Sequence, residues 1–138
     1  MKVLTTDWRS SKAQLQFVRK QVFILEQGIA EQDEWDELDE ASVHFVSFGT
    51  TAVPTGVARL TPEGKIGRMA VLSSYRHQGY GSMLLDKAIQ VAREMGHREV
   101  HLHAQADAQP FYEKQDFKTD GKVFLEAGVF HVLMARKI

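Results

Sequence analysis

The sequence predicts an α/β (α+β) fold in which a mixed central β-sheet carries helices on both faces. Runs of β-branched and aromatic residues alternate with segments of helical periodicity, and small turn residues separate the runs. The chain has 138 residues, of which 43% are hydrophobic and 25% are charged, a composition typical of globular domains. It contains no internal repeat, proline-rich linker or low-complexity tract. We therefore expect a single domain over residues 1–138.

The N-terminal region predicts one strand followed by one helix. The strand covers Lys2 to Thr6. Ser10 and Ser11 are candidate helix N-caps, and Gln14 follows Ser11 in capping-box register. Apolar residues then recur at helical spacing and stop at Gly28, and this stripe comprises Leu15, Val18, Val22 and Leu25.

The segment from Glu31 to Glu40, here called the acidic strip, holds seven acidic residues and no basic one. The remaining 128 residues carry 17 basic and 11 acidic groups, so the net charge of -1 conceals a body with a balance of +6. We expect the strip to be a loop or a short helix. A solvated surface segment explains such a charge run, and so does a site that attracts a cationic partner.

The middle of the chain predicts a hairpin, a further strand and the clearest helix. Val43–Gly49 and Val53–Leu60 are β-branched and aromatic runs separated by small turn residues, which favours a hairpin. Residues 62–64 form a turn that leads into a strand over Lys65–Leu72. A helix over Gly79–Met95 follows, and its main apolar stripe comprises Tyr80, Leu84, Ala88, Val91 and Met95.

The C-terminal region predicts a strand, a short helix and two more strands. The first strand covers Glu99–Gln105, and the helix covers Asp107–Gln115 with Asp107 as its N-cap. The last two strands cover Phe117–Leu125 and Val129–Arg136. The complete order is β-α-β-β-β-α-β-α-β-β, which fits a mixed sheet but does not by itself identify an activity.

The composition excludes several classes of chemistry. The chain has no cysteine, which rules out disulfides, thiolate zinc sites, iron–sulfur clusters and a cysteine nucleophile. His101 and His103 share a strand face, but no third ligand accompanies them, so we expect no metal. No apolar run approaches the roughly 20 residues of a membrane span, and the polar N-terminus does not resemble a signal peptide. From these features we expect a cytoplasmic protein with no membrane partner. Because the basic residues are scattered, we expect no nucleic acid as partner either.

The most informative stretch is the loop Arg76-His77-Gln78-Gly79-Tyr80-Gly81, between a predicted strand and the best predicted helix. Two glycines at a helix N-terminus let a ligand approach the backbone, and the first N–H groups of a helix are unpaired. Arg76 and His77 add positive charge or donors, so the loop predicts a phosphate site. A helix that simply begins with glycines has the same pattern. The loop lacks the Gly-Lys-Ser/Thr of a Walker motif, and Leu84 stands where a dinucleotide-binding fingerprint needs a third glycine.

Two ordered motifs resemble those of the GNAT N-acetyltransferases. Arg76-x-x-Gly79-x-Gly81, which follows strand residues 68–71, is similar to the acetyl-CoA signature of that family. Gln105-x-x-Ala108-x-x-Phe111-Tyr112-Glu113-Lys114-x-x-Phe117 resembles its second signature. Further motifs resemble the small ElaA/YjcF-like branch, namely Val22-Phe23-x-x-Glu26-Gln27-Gly28, Glu34-Trp35-Asp36, Asp39, His44, residues 124–128 and His131. The resemblance spans the whole chain and implies the GNAT fold, whose sheet is splayed at the acetyl-CoA site.

The resemblance also implies how acetyl-CoA is held as a cosubstrate. Main-chain groups of Met69 and Val71 would bind the pantetheine arm and the thioester. Backbone N–H groups from about Gln78 to Ser82 would hold the pyrophosphate. The implied cofactor-binding residues are Met69, Val71, Arg76, His77, Gln78, Gly79, Tyr80, Gly81, Ser82, Gln105 and Phe111.

Tyr112 occupies the position of the tyrosine that protonates the departing CoA thiolate in many family members. A phenol within hydrogen-bond distance of the sulfur is able to donate that proton, and packing in the core is the alternative role. Two positions depart from the family pattern: Gln105 replaces the usual asparagine, and Asp116 replaces the usual glycine before Phe117. Aspartate tolerates the left-handed backbone conformation better than most residues, so we expect the turn to persist.

The sequence does not carry the glutamate that many family members have on the strand before the signature, because that strand begins Lys65-Ile66-Gly67-Arg68. The branch motifs leave four candidates for the base that removes a proton from the amine: Glu26, His44, Glu126 and His131. We take Glu126 and His131 as the candidate catalytic residues beside Tyr112. Each of the four also has a structural explanation, as a capping or hydrogen-bonded residue.

The resulting hypothesis is an N-acetyltransferase that moves the acetyl group of acetyl-CoA directly to a primary amine of a small molecule or a protein. Without cysteine no acetyl-cysteine intermediate forms, which favours direct attack in a ternary complex. The acidic strip is a candidate site for a cationic acceptor, through Glu34, Asp36 and Asp39. The alternative function is a non-catalytic CoA- or acyl-CoA-binding sensor or interaction module of the same fold. The expected assembly is a monomer or a homodimer.

Overall fold

The computed structural model describes all 138 residues and contains one mixed sheet of seven strands. The strands are β1 Lys2–Thr6, β2 Val43–Phe48, β3 Pro54–Leu60, β4 Lys65–Val71, β5 Glu99–Gln105, β6 Lys118–Glu126 and β7 Val129–Lys137. They lie in the order β1-β2-β3-β4-β5-β7-β6, and every neighbouring pair is antiparallel except β4 and β5. All the predicted strands are confirmed, with each end displaced by at most one residue.

The helices divide into one long N-terminal unit, two short turns, one long central helix and one short helix. They are α1 Trp8–Arg19, a π-helical segment Lys20–Glu26, α2 Glu31–Glu34, α3 Leu38–Ala41, α4 Tyr80–Glu94 and α5 Gln109–Lys114. The acidic strip therefore folds as α2 and α3, as expected for a short helical segment. No helix is both long enough and apolar enough to cross a membrane.

Helices cover both faces of the sheet, which confirms the predicted α/β class. On one face, the apolar stripe of α4 packs on strand residues such as Phe45 and Ala58. On the other face, α1 and the π-helical segment pack on Val46 and Val57. Because side chains alternate along a strand, adjacent residues of one strand belong to different cores.

The first helix differs from its prediction at both ends. Asp7, rather than Ser10 or Ser11, caps α1, and its carboxylate accepts a hydrogen bond from the Ser10 N–H at 2.7 Å. Ser11 lies inside the helix at a kink, with φ of -126°. Leu25 is 61% exposed because a π-helical turn contains more residues than an α-helical one and rotates the stripe. Phe23 is buried in its place.

The short helix before β6 also begins differently from its prediction. Asp107 lies in a 3₁₀ turn over Ala106–Ala108 and caps nothing, and α5 begins at Gln109. Pro110 supplies the preformed φ of the first turn instead. After α5, Asp116 adopts a φ of 67°, so the turn persists with the left-handed aspartate that the sequence predicts.

Strands β4 and β5 part soon after they meet. The two strands share only two residue pairs, Lys65 with His101 and Ile66 with Leu102. The remaining residues of both strands have no ladder partner on that side. The sheet is therefore splayed between β4 and β5, as the resemblance implies.

Candidate active site

A cleft of about 490 Å³ opens where β4 and β5 part. Its walls come from these two strands, the β6–β7 hairpin, the end of the π-helical segment and the acidic strip. Among the predicted site residues, Met69, Gln105, Tyr112, Glu126 and His131 line this cleft. The fold thus brings together candidates that are widely separated along the chain.

A bulge shapes β4 along the cleft. The pairing register between β3 and β4 shifts by one residue, so Arg68 and Met69 together oppose Ala58. Arg68 has φ of 47°, a left-handed conformation that costs a non-glycine residue about 1–2 kcal/mol. A bulge bends its strand, and this bend contributes to the parting of β4 from β5.

Val71 presents main-chain groups to the gap between the strands. The Leu72 N–H donates to the Thr55 carbonyl at 2.9 Å, so these two residues form a hydrogen-bonded pair. In an antiparallel ladder such pairs alternate with pairs that are not hydrogen-bonded, and the next pair, Val71 with Gly56, is of the second kind. The N–H and C=O of Val71 consequently point away from β3. The carbonyl accepts a hydrogen bond from Nε of Arg76 at 2.9 Å, while the N–H faces the gap.

The loop before α4 exposes a run of unpaired backbone N–H groups. Gly79 caps α4 with φ of 93° and without a side-chain hydrogen bond. The N–H of Met83 donates to the Gly79 carbonyl at 3.1 Å, whereas the N–H groups from Gln78 to Ser82 find no acceptor in the protein. The positive dipole end of the 15-residue helix α4 lies at the same place. This arrangement suits an anionic group such as a pyrophosphate.

The side chains of the loop are less available than its backbone. His77 is exposed and has φ of 63°. Tyr80 is only 5% exposed, and its ring packs edge-on against Tyr75 at 6.1 Å. The Ser82 hydroxyl accepts a hydrogen bond from the Gln115 side chain at 3.2 Å.

Arg76 differs from the expectation that it adds free positive charge to the phosphate loop. Its guanidinium makes a bidentate ion pair with Glu26, with N–O distances of 2.6 and 2.7 Å. This hydrogen bonding holds the pKa of Glu26 below its ordinary value and raises the pKa of Arg76. The charge of Arg76 is therefore neutralised, and Glu26 is its partner and not a residue of the cleft.

Tyr112 lies in the cleft wall at the middle of α5. Its ring packs edge-on against Phe111 and Phe117, with centroid distances of 5.0 and 5.9 Å. The Phe111 ring in turn lies 3.4 Å from the point where a Cβ on Gly81 would stand, so α5 packs against the phosphate loop. No protein group hydrogen-bonds the Tyr112 hydroxyl. Burial raises the pKa of Tyr112 to about 12, so the phenol keeps its proton throughout the neutral range.

Gln105 is held across the cleft by Gln27. The two side-chain amides form a reciprocal pair with N–O distances of 2.7 and 3.2 Å. Gln27 follows the π-helical segment and Gln105 ends β5, so the pair bridges the cleft opening. Binding of a ligand amide by Gln105 would exchange at least one of these hydrogen bonds.

Glu126 and His131 meet a third side chain, His103, which sequence reasoning did not select as a site residue. Nδ1 of His103 donates to Oε1 of Glu126 at 3.0 Å, and Oε2 of Glu126 lies 3.8 Å from Nε2 of His131. Nδ1 of His131 donates to the Val129 carbonyl at 2.8 Å, which turns Nε2 toward the carboxylate. Partial burial raises the pKa of Glu126, but the hydrogen bond from His103 and the charges of His103 and Lys65 bring it below its ordinary value.

Three of the seven carboxylates of the acidic strip are paired with arginines. The network consists of Glu34, Asp36 and Asp39 with Arg19, Arg59 and Arg68. Glu34 and Asp39 are 3% and 1% exposed, and Arg19 bonds them at 2.8 and 2.7 Å. The charges of these three carboxylates are therefore already matched within the protein, which argues against the prediction that they attract a cationic acceptor.

His44, another candidate base, lies outside the cleft. It is 1% exposed, its Nε2 donates to the Asp39 carbonyl at 2.7 Å, and its ring packs on Trp8 at 5.5 Å. Burial is the main reason that the pKa of His44 lies below its ordinary value. These contacts make it a structural residue beneath the acidic strip.

Comparison with known proteins agrees with this geometry. The family model described as "Acetyltransferase (GNAT) domain" matches residues 11–138. The chain is 35% identical over 123 residues to YjcF of Bacillus subtilis (strain 168), named an uncharacterized N-acetyltransferase, and the match covers 87% of this chain and 88% of YjcF. An acyl-CoA N-acyltransferase from Pseudomonas aeruginosa superposes with a TM-score of 0.84 at 28% identity over 99% of both chains. ElaA of Escherichia coli superposes with a TM-score of 0.87 at 25% identity, over 99% of this chain and 100% of ElaA.

Proposed function

The chain belongs to the GNAT acetyltransferase family, and from that premise we propose that it transfers the acetyl group of acetyl-CoA to a primary amine. One observation carries the proposal, namely that three features adjoin one another around the gap between β4 and β5. They are the outward-facing main chain of Val71, the unpaired N–H groups that begin α4, and the free hydroxyl of Tyr112. A thioester on a long arm that ends in a pyrophosphate needs all three.

In this proposal the backbone does most of the cosubstrate binding. The N–H groups from Gln78 to Ser82 hold the pyrophosphate at the positive end of α4. The pantetheine arm follows the free edge of β4 at Met69 and Val71, where it completes the ladder that β5 leaves open. The Gln105 amide exchanges its bond to Gln27 for one to the arm.

The chemical step is a direct displacement. The amine nitrogen attacks the thioester carbonyl carbon, the C–S bond breaks, and CoA leaves as a thiolate while the amine loses one proton. The Val71 N–H stabilises the negative charge that develops on the carbonyl oxygen. The Tyr112 phenol donates its proton to the sulfur as the C–S bond breaks and then regains one from solvent. Its pKa of about 12 ensures that the proton is present before the step and is quickly restored after it.

The proton from the amine goes to the group formed by Glu126, His103 and His131. Because its pKa is lowered, Glu126 remains a carboxylate in the neutral range and is a weak base itself. It hydrogen-bonds His103 at 3.0 Å and therefore stabilises an imidazolium once the ring has taken a proton. His131, 3.8 Å from the same carboxylate, is placed to do the same.

Substitution Tyr112→Phe tests the proposal. We expect kcat with an accepted amine to fall about 100-fold, because general acid catalysis contributes roughly 10²–10⁴, while acetyl-CoA binding is retained. The measurement is release of the CoA thiol, detected with a thiol-reactive dye that meets no cysteine in the protein. Tyr75→Phe is the matched control, since it removes a hydroxyl outside this cleft.

Two results would contradict the proposal. Unchanged kcat in Tyr112→Phe would remove this residue from the role of acid. Acetyl-CoA binding by calorimetry without thiol release across a broad panel of primary amines would favour the alternative function, a non-catalytic CoA-binding module.

A further inference from the structure

The charged side chains around the cleft are mostly matched in pairs. Arg59 and Arg68 line the cleft, and both contact Asp36, at 2.7 and 3.1 Å. The whole arginine network contains three arginines and three carboxylates, so it contributes no net charge. Three other charged groups line the cleft outside this network: Lys65, Glu126 and the exposed rim residue Asp33.

Lys65 is a half-buried ammonium that makes no ion pair. It stands opposite His101, where β4 and β5 are still paired and the cleft closes. Its neighbour Ile66 packs in the core beneath α4, so alternation along the strand directs Lys65 to the opposite face, which carries the cleft. Burial keeps the pKa of Lys65 below its ordinary value, although the charge of Glu126 opposes this effect. No carboxylate lies within ion-pair distance of this ammonium, so the charge of Glu126 acts on it only from farther away.

A second nitrogen at the same cleft also lacks a partner. Nε of Arg59 has no hydrogen-bond acceptor, although the residue is only 2% exposed. Buried N–H groups without an acceptor are rare, so each one calls for an explanation. Together, Lys65 and Arg59 give this part of the cleft more donors than acceptors.

The charge of opposite sign lies close by on the same sheet face. Glu126 contacts His103, whereas Lys65 pairs with His101, two residues earlier on β5. Two residues of a strand span roughly 7 Å. The order along the cleft is therefore Lys65 at the closed end, then Glu126 with its histidines, then the end of β5 where Gln105 and the thioester site lie.

From this order we propose that the acceptor is a small amine that also carries an anionic group, a carboxylate or a phosphate. Lys65 binds the anion at the closed end, and the amine then lies beside Glu126 and His103 and points toward the thioester. The inference rests on the proposed function, because it names the acceptor class for that reaction. It also reverses the expectation that a cationic acceptor is drawn to the acidic strip.

The Lys65 charge selects among amines by attraction and by repulsion. A charge-assisted hydrogen bond to the anion is lost in a neutral amine of the same length, and a second ammonium is repelled. We expect kcat/KM for anionic amines to exceed that for neutral ones by about 10- to 100-fold.

The test uses amines with different distant groups, among which 4-aminobutyrate, 4-aminobutanamide, butylamine and 1,4-diaminobutane share a four-carbon chain. Glycine, β-alanine, 4-aminobutyrate and 2-aminoethyl phosphate carry an anion, 4-aminobutanamide and butylamine are neutral, and 1,4-diaminobutane carries a second cation. Each is assayed by thiol release with wild type, Lys65→Met and Lys65→Arg. Lys87→Met on α4 is the control, because α4 covers the opposite face of the sheet.

We expect the wild type to prefer amines that carry a carboxylate or a phosphate. Lys65→Met should abolish this preference by raising the KM for those amines, and Lys65→Arg should largely retain it. The KM for neutral amines stays constant in these variants. Equal use of neutral and anionic amines by the wild type would overturn the inference and leave the proposed function intact. An equal loss of kcat/KM for anionic and neutral amines in Lys65→Met would also overturn the inference, since Lys65 would then affect the amine group and not bind the anion. If none of the amines caused thiol release, the proposed function and the inference would both be overturned.

Discussion

Substitution of Arg19 by methionine tests whether the buried arginine network holds the acidic strip against the sheet. Arg19 is 1% exposed and makes four hydrogen bonds to two acidic residues. Its guanidinium also packs on the rings of Trp8 and Trp35, at 5.3 and 5.1 Å from their centroids. Methionine keeps much of the side-chain volume beside the rings but removes the charge.

The expected loss of unfolding free energy is about 3 kcal/mol. Breaking a buried ion pair by removing one partner costs about 3–5 kcal/mol, because the other charge is left without compensation. Here the loss lies toward the lower limit, since Asp39 keeps Arg59 at 3.1 Å and Glu34 keeps Arg68 at 3.2 Å. Domains of this kind are stable by about 5–15 kcal/mol, so we expect the variant to fold.

The assay is urea unfolding followed by tryptophan fluorescence, which Trp8 and Trp35 report from the site itself. The control is Lys12→Met, because Lys12 also lies over Trp8, at 5.9 Å, but is exposed and unpaired. Its loss should stay below about 1 kcal/mol. In a double-mutant cycle, Arg19→Met and Asp39→Asn together should cost less than the sum of the two. A loss in Arg19→Met no larger than that of Lys12→Met would refute the reasoning.

Two further predictions concern pH and cosubstrate affinity. Burial lowers the pKa of His44, so the stability that this residue contributes is complete above about pH 6.5 and is lost as the pH falls toward its folded pKa. The variant His44→Gln should therefore show a smaller change in urea midpoint between about pH 7.5 and 5.5. An unchanged pH dependence would contradict this prediction. Glu26→Gln releases the Arg76 guanidinium, and calorimetry at low ionic strength should show acetyl-CoA binding that is up to about fivefold tighter, since exposed pairs contribute at most about 1 kcal/mol. Equal or weaker binding would show that Arg76 has no access to the phosphates.

Periodicity predicted the strands because each strand's pattern is local. The alternation of Phe45 with Val46 places one residue in each core, and any sheet with two covered faces imposes that pattern. The stripe of α1 was predicted less well, since the π-helical segment changes the number of residues per turn after Arg19. Helical periodicity assumes a constant value of about 100° per residue, so it places Leu25 in the apolar stripe although the π-helical turn rotates this residue outward.

The partners of charged residues were not predictable in the same way. The sequence separates Arg19 from Asp39 by 20 residues and Arg59 from Asp36 by 23, so only the folded sheet brings them together. His103 was missed for a related reason. It shares a strand face with His101 and Gln105, which was visible in the sequence, but its partner Glu126 lies 23 residues away on another strand.

The acidic strip acts on the candidate active site indirectly, through the bulge in β4. Arg68 has a left-handed backbone at this bulge, a strained state that persists only where surrounding contacts fix it. Those contacts come from the strip, since Nε of Arg68 lies 3.2 Å from the Glu34 carboxylate and Nη2 donates to Asp36 at 3.1 Å. The carboxylates expected to bind substrate therefore hold the bend in β4 where its main chain turns toward the thioester site. Weakening the network should then affect cosubstrate binding as well as stability, because the position of Val71 follows directly from that bend.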